Sequence, residues 1–287
     1  MNDAQADVPV STYGVRGDDI ADVIALRAPH PIVVDGDLTK SPWVTAPRTP
    51  RFVDMVTGKP GLLDTTASVL WDDENLYVAM WAQEPQVEAL MTRRDDLLFF
   101  ENDLEVFIDG GDAYYELEIN AAGTLYEVFF IWRDAFLHGG FDRHAEFDVH
   151  HPRTVTFAGD HPHTPDAFWH GSHPRGMRWA FLDWDFPGLQ AAVRVDGSIN
   201  DPGSVDRGWS VELAFPWTGM SHLANGRTLP PTPGDVWRLL FGRFQRLEAR
   251  GHEMQPHPGW VANRHGIADT HIPESFTRVH FSADEAG

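Results

Sequence analysis

The feature that most constrains the fold is a series of short apolar runs, none longer than a β-strand, each closed by Gly, Pro, Asn, Asp or another polar residue. They read "IVVDG", "ASVLW", "NLYVAMWA", "LEVFID", "YYELEIN", "TLYEVFFIW", "LQAAVRVDG", "WSVELAFPW", "VWRLLFGRF" and "FTRVHFS". β-Branched and aromatic residues dominate them and helical periodicity is scarce, which predicts an all-β chain folded as an antiparallel β-sandwich. "WDDENLY" and "DGGDA" stand between such runs and supply residues that accept reversed backbone angles, so each is expected to close a hairpin. Residues 1–28 are polar and aperiodic and read as an N-terminal arm, leaving 29–287 as a single sandwich domain. Residues 137–188 break the pattern. They hold eight of the fifteen histidines among many Pro, Gly and Trp, and read as a long irregular insertion.

Composition narrows the partners. With 43 Asp+Glu against 22 Lys+Arg, the net charge of −21 repels phosphate backbones and anionic lipid, so nucleic acid and membrane are not expected as partners. Neutral ligands, cationic ligands and metal ions fit this field better. The absence of cysteine excludes disulfides, thiolate metal sites and a Cys nucleophile. The first residues lack a basic stretch followed by an apolar one, and no later run approaches the roughly 18 apolar residues of a membrane span, so the chain is expected to be cytoplasmic.

The stretch "FFENDLEVFIDGGDAYYELEIN" (99–120) carries seven acidic and five aromatic residues. Strand alternation sends Leu104, Val106 and Ile108 to one face and Asp103, Glu105, Phe107 and Asp109 to the other. In the next run, Tyr115, Leu117 and Ile119 form the apolar row and Tyr114, Glu116, Glu118 and Asn120 the polar one. If "DGGDA" pairs these strands, both polar rows share one face, because both apolar rows must reach the same core. Like charges opposite one another repel, so something must compensate them. Three arrangements would do so: arginines from neighbouring strands such as Arg133, Arg238 or Arg243; a hard cation such as calcium, with Asp103 and Asp109 as candidate ligands; or a groove in which carboxylates accept hydrogen bonds from sugar hydroxyls while Phe99, Phe100 and Phe107 offer flat apolar surface.

The chain resembles a stand-alone, family 9-like carbohydrate-binding module. The resemblance is carried, in order along the chain, by "VDGDLTKSPW" (34–43), "WDDENLYVAM" (71–80), "NDLEVFIDGGDAYYELEINAAGT" (102–124), "GWSVELAFPW" (208–217), "GDVWRLLFGRF" (234–244) and "HIPESF" (271–276). It implies a β-sandwich related to DOMON-type domains, calcium in some members, and a groove in which two aromatic side chains clamp a terminal sugar. Phe99 or Phe100 stands where the first clamping aromatic lies, and Glu105 matches the acidic residue that bonds sugar hydroxyls. Glu118 occupies the place of an Arg in sugar-binding members. Thr270 and His271 stand where the second aromatic is expected, with Trp260 available from the preceding loop. The matching late motifs add Arg243, Gln245, His271 and Glu274 to the expected groove, whose ligand would be a saccharide.

Two further chemistries remain open. A chain with no attached catalytic domain and no second aromatic clamp could itself be a lyase, isomerase or hydrolase acting on a sugar or sugar-containing metabolite. His271 and Glu105 would then serve as acid and base, because His titrates near neutral pH and carboxylates tune it. The insertion places His161 and His163 at alternate positions of "DHPH", a spacing open to a transition metal or, on a DOMON-like domain, to haem chemistry, although it matches no established zinc motif. There is no nucleophile elbow, phosphate loop, H-E-x-x-H or dinucleotide fingerprint.

Overall fold

The computed structural model describes residues 17–157, 173, 175–254 and 257–287. Sixteen strands lie among these: β1 (Asp22–Arg27), β2 (Val53–Asp54), β3 (Thr65–Trp71), β4 (Asn75–Gln83), β5 (Asp103–Asp109), β6 (Ala113–Ile119), β7 (Leu125–Trp132), β8 (Thr154–Phe157), β9 (Arg178–Phe181), β10 (Gln190–Asp196), β11 (Gly208–Pro216), β12 (Val236–Phe244), β13 (Glu248–Ala249), β14 (His252–Glu253), β15 (Gly259–Val261) and β16 (Thr277–Glu285). Two single-turn helices accompany them, α1 (Ala135–His138) and α2 (Ser221–Ala224).

Hydrogen bonding runs continuously through β10, β11, β4, β3, β1, β16, β12, β5, β6, β7, β9 and β8, with β15 on β12 and β2 on β15. The path folds over into two packed halves. Val69, Val78, Met80, Val211, Leu213 and Phe215 of the first half meet Leu104, Val106, Ile108, Leu117, Phe129, Leu239 and Phe241 of the second in one core. That is a β-sandwich, as expected, and the hairpins at 71–75 and 109–113 form where the turn residues stand.

Four expectations need correction. The sheet is mixed rather than wholly antiparallel, because β1 pairs parallel with both β3 and β16. Long connections to each partner allow this, as parallel pairing requires. That strand also lies inside the expected arm: Val23 and Ala25 are buried while Ile24 faces out, a period-2 signal too short to stand out among polar neighbours. Conversely, "IVVDG" forms no strand. Pro31 has no N–H to offer a ladder, and the N–H groups of Asp35 and Gly36 donate to Oε2 of Glu212 at 2.8 and 2.9 Å. The segment instead covers the outer face of the first half, where Ile32, Leu38 and Trp43 pack on Leu70, Tyr77, Ala79 and Ala214. Finally, 137–188 is not irregular throughout. It supplies β8 and β9, which extend the second half beyond β7, and sends Phe147, Trp184 and Phe186 into the core.

Candidate functional site

The outer face of the second half is set by register. Glu105 stands between Gly242 on β12 and Glu118 on β6, and Glu118 is next to Tyr126 on β7. One row along the strands, Phe107 stands between Leu240 and Glu116. A row further, Tyr114 lies beside Phe130, which faces Ala180 on β9. Alternation therefore gathers Asp103, Glu105, Glu116 and Glu118 at one end of the face and an aromatic cluster at the other.

At the acidic end, one oxygen from each of Asp103, Glu105 and Glu118 lies within 4.8 Å of the others. These residues are 0%, 2% and 1% exposed. Oδ1 of Asp103 accepts the Phe244 N–H at 3.1 Å, whereas Oδ2 of Asp103, Oε2 of Glu105 and Oε2 of Glu118 have no hydrogen-bond partner among the described residues. Burial and mutual repulsion push the carboxyls of Asp103, Glu105 and Glu118 well above their ordinary range. Burial also raises Glu116 to about 7, even though the protonated Glu118 donates to it. Unpaired buried carboxylates are costly, so the cluster either holds protons or holds a cation. Gly242 makes room for it: a Cβ there would stand 2.7 Å from Oε2 of Glu105.

A single 3-10 turn, Leu98–Phe100, borders this end. Leu98 is buried, but Phe99 is 39% and Phe100 57% exposed. Their rings are 4.5 Å apart, and Phe99 meets the edge of Tyr126, the neighbour of Glu118, at 5.9 Å. Phe99, Phe100, Glu105, Glu118 and Asp103 thus lie at the same end of this face.

His271 and Glu274 lie toward the other end. The His271 ring sits 5.3 Å from Phe107, 5.1 Å from Phe130 and 4.5 Å from Phe157, and Nδ1 is 3.1 Å from the Tyr114 hydroxyl. This enclosure, together with the Arg178 charge, holds the imidazole neutral far below its usual pKa. Among the described residues, no hydrogen bond or ion pair joins His271 to Glu105. Glu274 is held by His173 at 2.8 Å. Arg178, which no motif signalled, is 1% exposed, lies 4.3 Å over Trp132 and donates to the His271 carbonyl at 2.7 Å, leaving Nε and Nη1 without partners among the described residues.

Arg243, Gln245 and Trp260 depart from expectation. Arg243 is in register with Leu104 and Trp260, both of which face the core, so its side chain points between the halves and away from Glu105. There it donates to Thr65 Oγ1 at 3.0 Å and to Glu84 at 3.2 Å, and Gln245 joins the same network. Arginine compensation of Glu105 and Glu118 is therefore not what these strands provide. Asp109 is also separated from Asp103, by six strand residues or about 20 Å, so one ion cannot reach both. His161 and His163 lie outside the described residues.

No family profile matches the sequence, and no curated protein matches it either. Solved structures do. A protein from Bacteroides uniformis, described as a "putative carbohydrate-binding protein", superposes with a TM-score of 0.56 over 92% of this chain and 100% of its own, at 12% identity. The two chains share a fold. Family 9 carbohydrate-binding modules from Caldicellulosiruptor kristjanssonii match at lower similarity. The one in complex with cellotriose has a TM-score of 0.48 at 11% identity, over 91% of this chain and 93% of its own. The one with glucose has 0.49 at 10% identity, over 93% and 98%.

Proposed function

We propose that this chain binds a saccharide at the acidic end of the second half's outer face, and that a hard divalent cation such as calcium stabilises that end from beneath. The observation that carries the reading is the exposed Phe99–Phe100 pair standing beside three buried carboxyls, each with one oxygen that has no partner among the described residues. An aromatic pair offers the apolar platform that a sugar ring's C–H face requires. The enclosed carboxylates suit a calcium ion, which takes oxygen ligands at 2.3–2.6 Å and tolerates irregular coordination. The fold shared with a protein described as carbohydrate-binding, and the acidic residue at position 105, support the same assignment.

The test is titration calorimetry of the full chain with neutral mono- to trisaccharides, with calcium or with chelator. Phe100→Ala should weaken binding at least tenfold, about 1.4 kcal/mol, and Glu105→Gln should remove the calcium response. The first half carries an open groove of about 740 Å³, in which Arg48 lies 3.6 Å over Trp81. A saccharide whose binding survives Phe100→Ala but is lost in Arg48→Ala would move the site to that groove. No binding to any sugar at millimolar concentration would overturn the saccharide reading itself.

A further inference from the structure

A second cluster, at the edge of the sandwich beside the β5–β6 turn, has nothing to do with the acidic strands. Two of its members flank a core anchor. Phe147 packs on Phe129 at 5.0 Å and Phe181 at 5.1 Å, which pins the 3-10 turn Ala145–Phe147 and holds His144 and Glu146 at its outer side. The third member comes from far along the chain. His222 on α2 is half-buried against Phe147, with ring centroids 4.8 Å apart. The His144 ring stands edge-on to it at 4.6 Å and 84°, and His222 Nε2 lies 3.0 Å from Oε1 of Glu146. One ligand atom from each of the three residues lies within 4.8 Å of the other two.

We propose that His144, Glu146 and His222 bind a divalent transition ion, zinc being the best fit. Two imidazoles and one carboxylate are the donor set of zinc sites that keep a position open, whereas calcium prefers oxygen ligands alone. Zinc bonds of about 2.0–2.2 Å place tetrahedral ligand atoms about 3.4 Å apart. The ligand atoms now lie within 4.8 Å of one another, and the contraction falls on His144 and Glu146, whose side chains are exposed. His144 and His222 line a cavity of about 400 Å³ bounded also by Asp112, Phe141, Ser221 and Asn225. The fourth position is thereby left to water or to a small ligand with an oxygen or nitrogen donor. The sequence pointed to the insertion's histidines as a group. His144 belongs to that insertion, but its partner His222 lies outside it, so no spacing within the insertion could have disclosed the site.

Chelator-stripped full-length protein is titrated with zinc by calorimetry, and with cobalt while its visible absorption is recorded. The expected result is one equivalent of zinc bound at micromolar or tighter affinity, with a tetrahedral or five-coordinate cobalt spectrum. His144→Ala and Glu146→Ala should each lose that equivalent or weaken it more than tenfold. Both positions are exposed, so their circular dichroism should be unchanged. A His161→Ala/His163→Ala double variant should retain the equivalent. The proposal is overturned if zinc does not bind, if binding is indifferent to His144→Ala and Glu146→Ala, or if the equivalent disappears in the His161/His163 variant. Sugar and calcium responses at the acidic face use none of these residues, so the two proposals fail separately.

Discussion

Raising the pH from 5 to 8 should destabilise the ion-free protein in part through Glu116, and Glu116→Gln should relieve that part of the loss. Burial raises this carboxyl from its ordinary 4.5 to about 7, and Glu116 is only 4% exposed. The folded chain therefore keeps a proton that the unfolded chain releases. Stability is highest below pH 4.5, falls as pH rises toward 7, and levels off above it. At about 1.4 kcal/mol per pH unit, the interval from 4.5 to about 7 amounts to about 3 kcal/mol at pH 8, of which about 1 kcal/mol is already lost at pH 5. Gln is neutral throughout, has nearly the same shape, and keeps a carbonyl oxygen to accept from Glu118. Urea unfolding in chelator at pH 5, 6, 7 and 8 provides the measurement. The stability of the variant relative to the parent should grow by about 2 kcal/mol across that range. Asp103, Glu105 and Glu118 shift in the same direction, so the parent's own decline should be at least this steep. Calcium should flatten it, because a cation compensates the ionised carboxylates that pH creates. If parent and variant stay parallel from pH 5 to 8, Glu116 ionises as freely in the fold as outside it, and the picture of a sealed, uncompensated cluster is wrong.

Gly242→Ala should abolish the calcium response while leaving the fold intact in circular dichroism, since its Cβ would displace Oε2 of Glu105 from the cluster; an unchanged calcium-induced rise in Tm would contradict this. Glu84→Ala should cost about 3–5 kcal/mol in denaturant unfolding, because Arg243, itself 0% exposed, would lose its carboxylate partner, and Trp209 and Asn102 would lose an acceptor. His265 is fully enclosed and donates to the Asp269 carbonyl at 2.8 Å, and burial pushes its pKa down to about 4. Its folded pKa lies below the unfolded value, so its contribution is complete above pH 6.5 and disappears as pH falls through 4; the imidazole carbon resonances should stay flat by NMR from pH 7 to 5, and a midpoint near 6.5 would refute the burial.

The acidic face was legible because a period of two leaves no choice once one row is apolar. Leu104, Val106 and Ile108 oblige Asp103, Glu105 and Phe107 to turn outward, and the register of β6 adds Glu116 and Glu118. The same rule could have placed Arg243. Leu239 and Phe241 face the core, and two residues further the count lands on Arg243, then Gln245. An inward Arg looks implausible in isolation, and its compensation by Glu84 comes from just past the end of β4, 159 residues away, where no local pattern reveals it. The strand at Asp22–Arg27 was hidden for a different reason. Only Val23 and Ala25 point inward, and its neighbours β3 and β16 are distant in sequence. Arg178 and the His144–Glu146–His222 group likewise depend on approach between segments far apart along the chain.

Enclosure decides how the two functions at the acidic end divide. A saccharide cannot reach carboxylates that are 0–2% exposed without displacing what covers them, but an ion needs no more room than the oxygens already leave. On the proposed reading the sugar-contacting surface is the exposed part, Phe99 and Phe100, supported from below. The Phe99 ring rests on Tyr126, the strand neighbour of Glu118, and Phe100 is followed by Glu101, whose carboxylate accepts the Leu90 N–H at 2.9 Å and the Asn120 side-chain amide at 2.6 Å. Charge repulsion within the cluster would push β5 and β6 apart under this platform, and a bound cation would draw them together. Saccharide affinity and calcium affinity should therefore reinforce one another by the same factor in either direction, as linkage demands. A factor of one, measured from either side, would show that the platform and the cluster are not coupled through these strands.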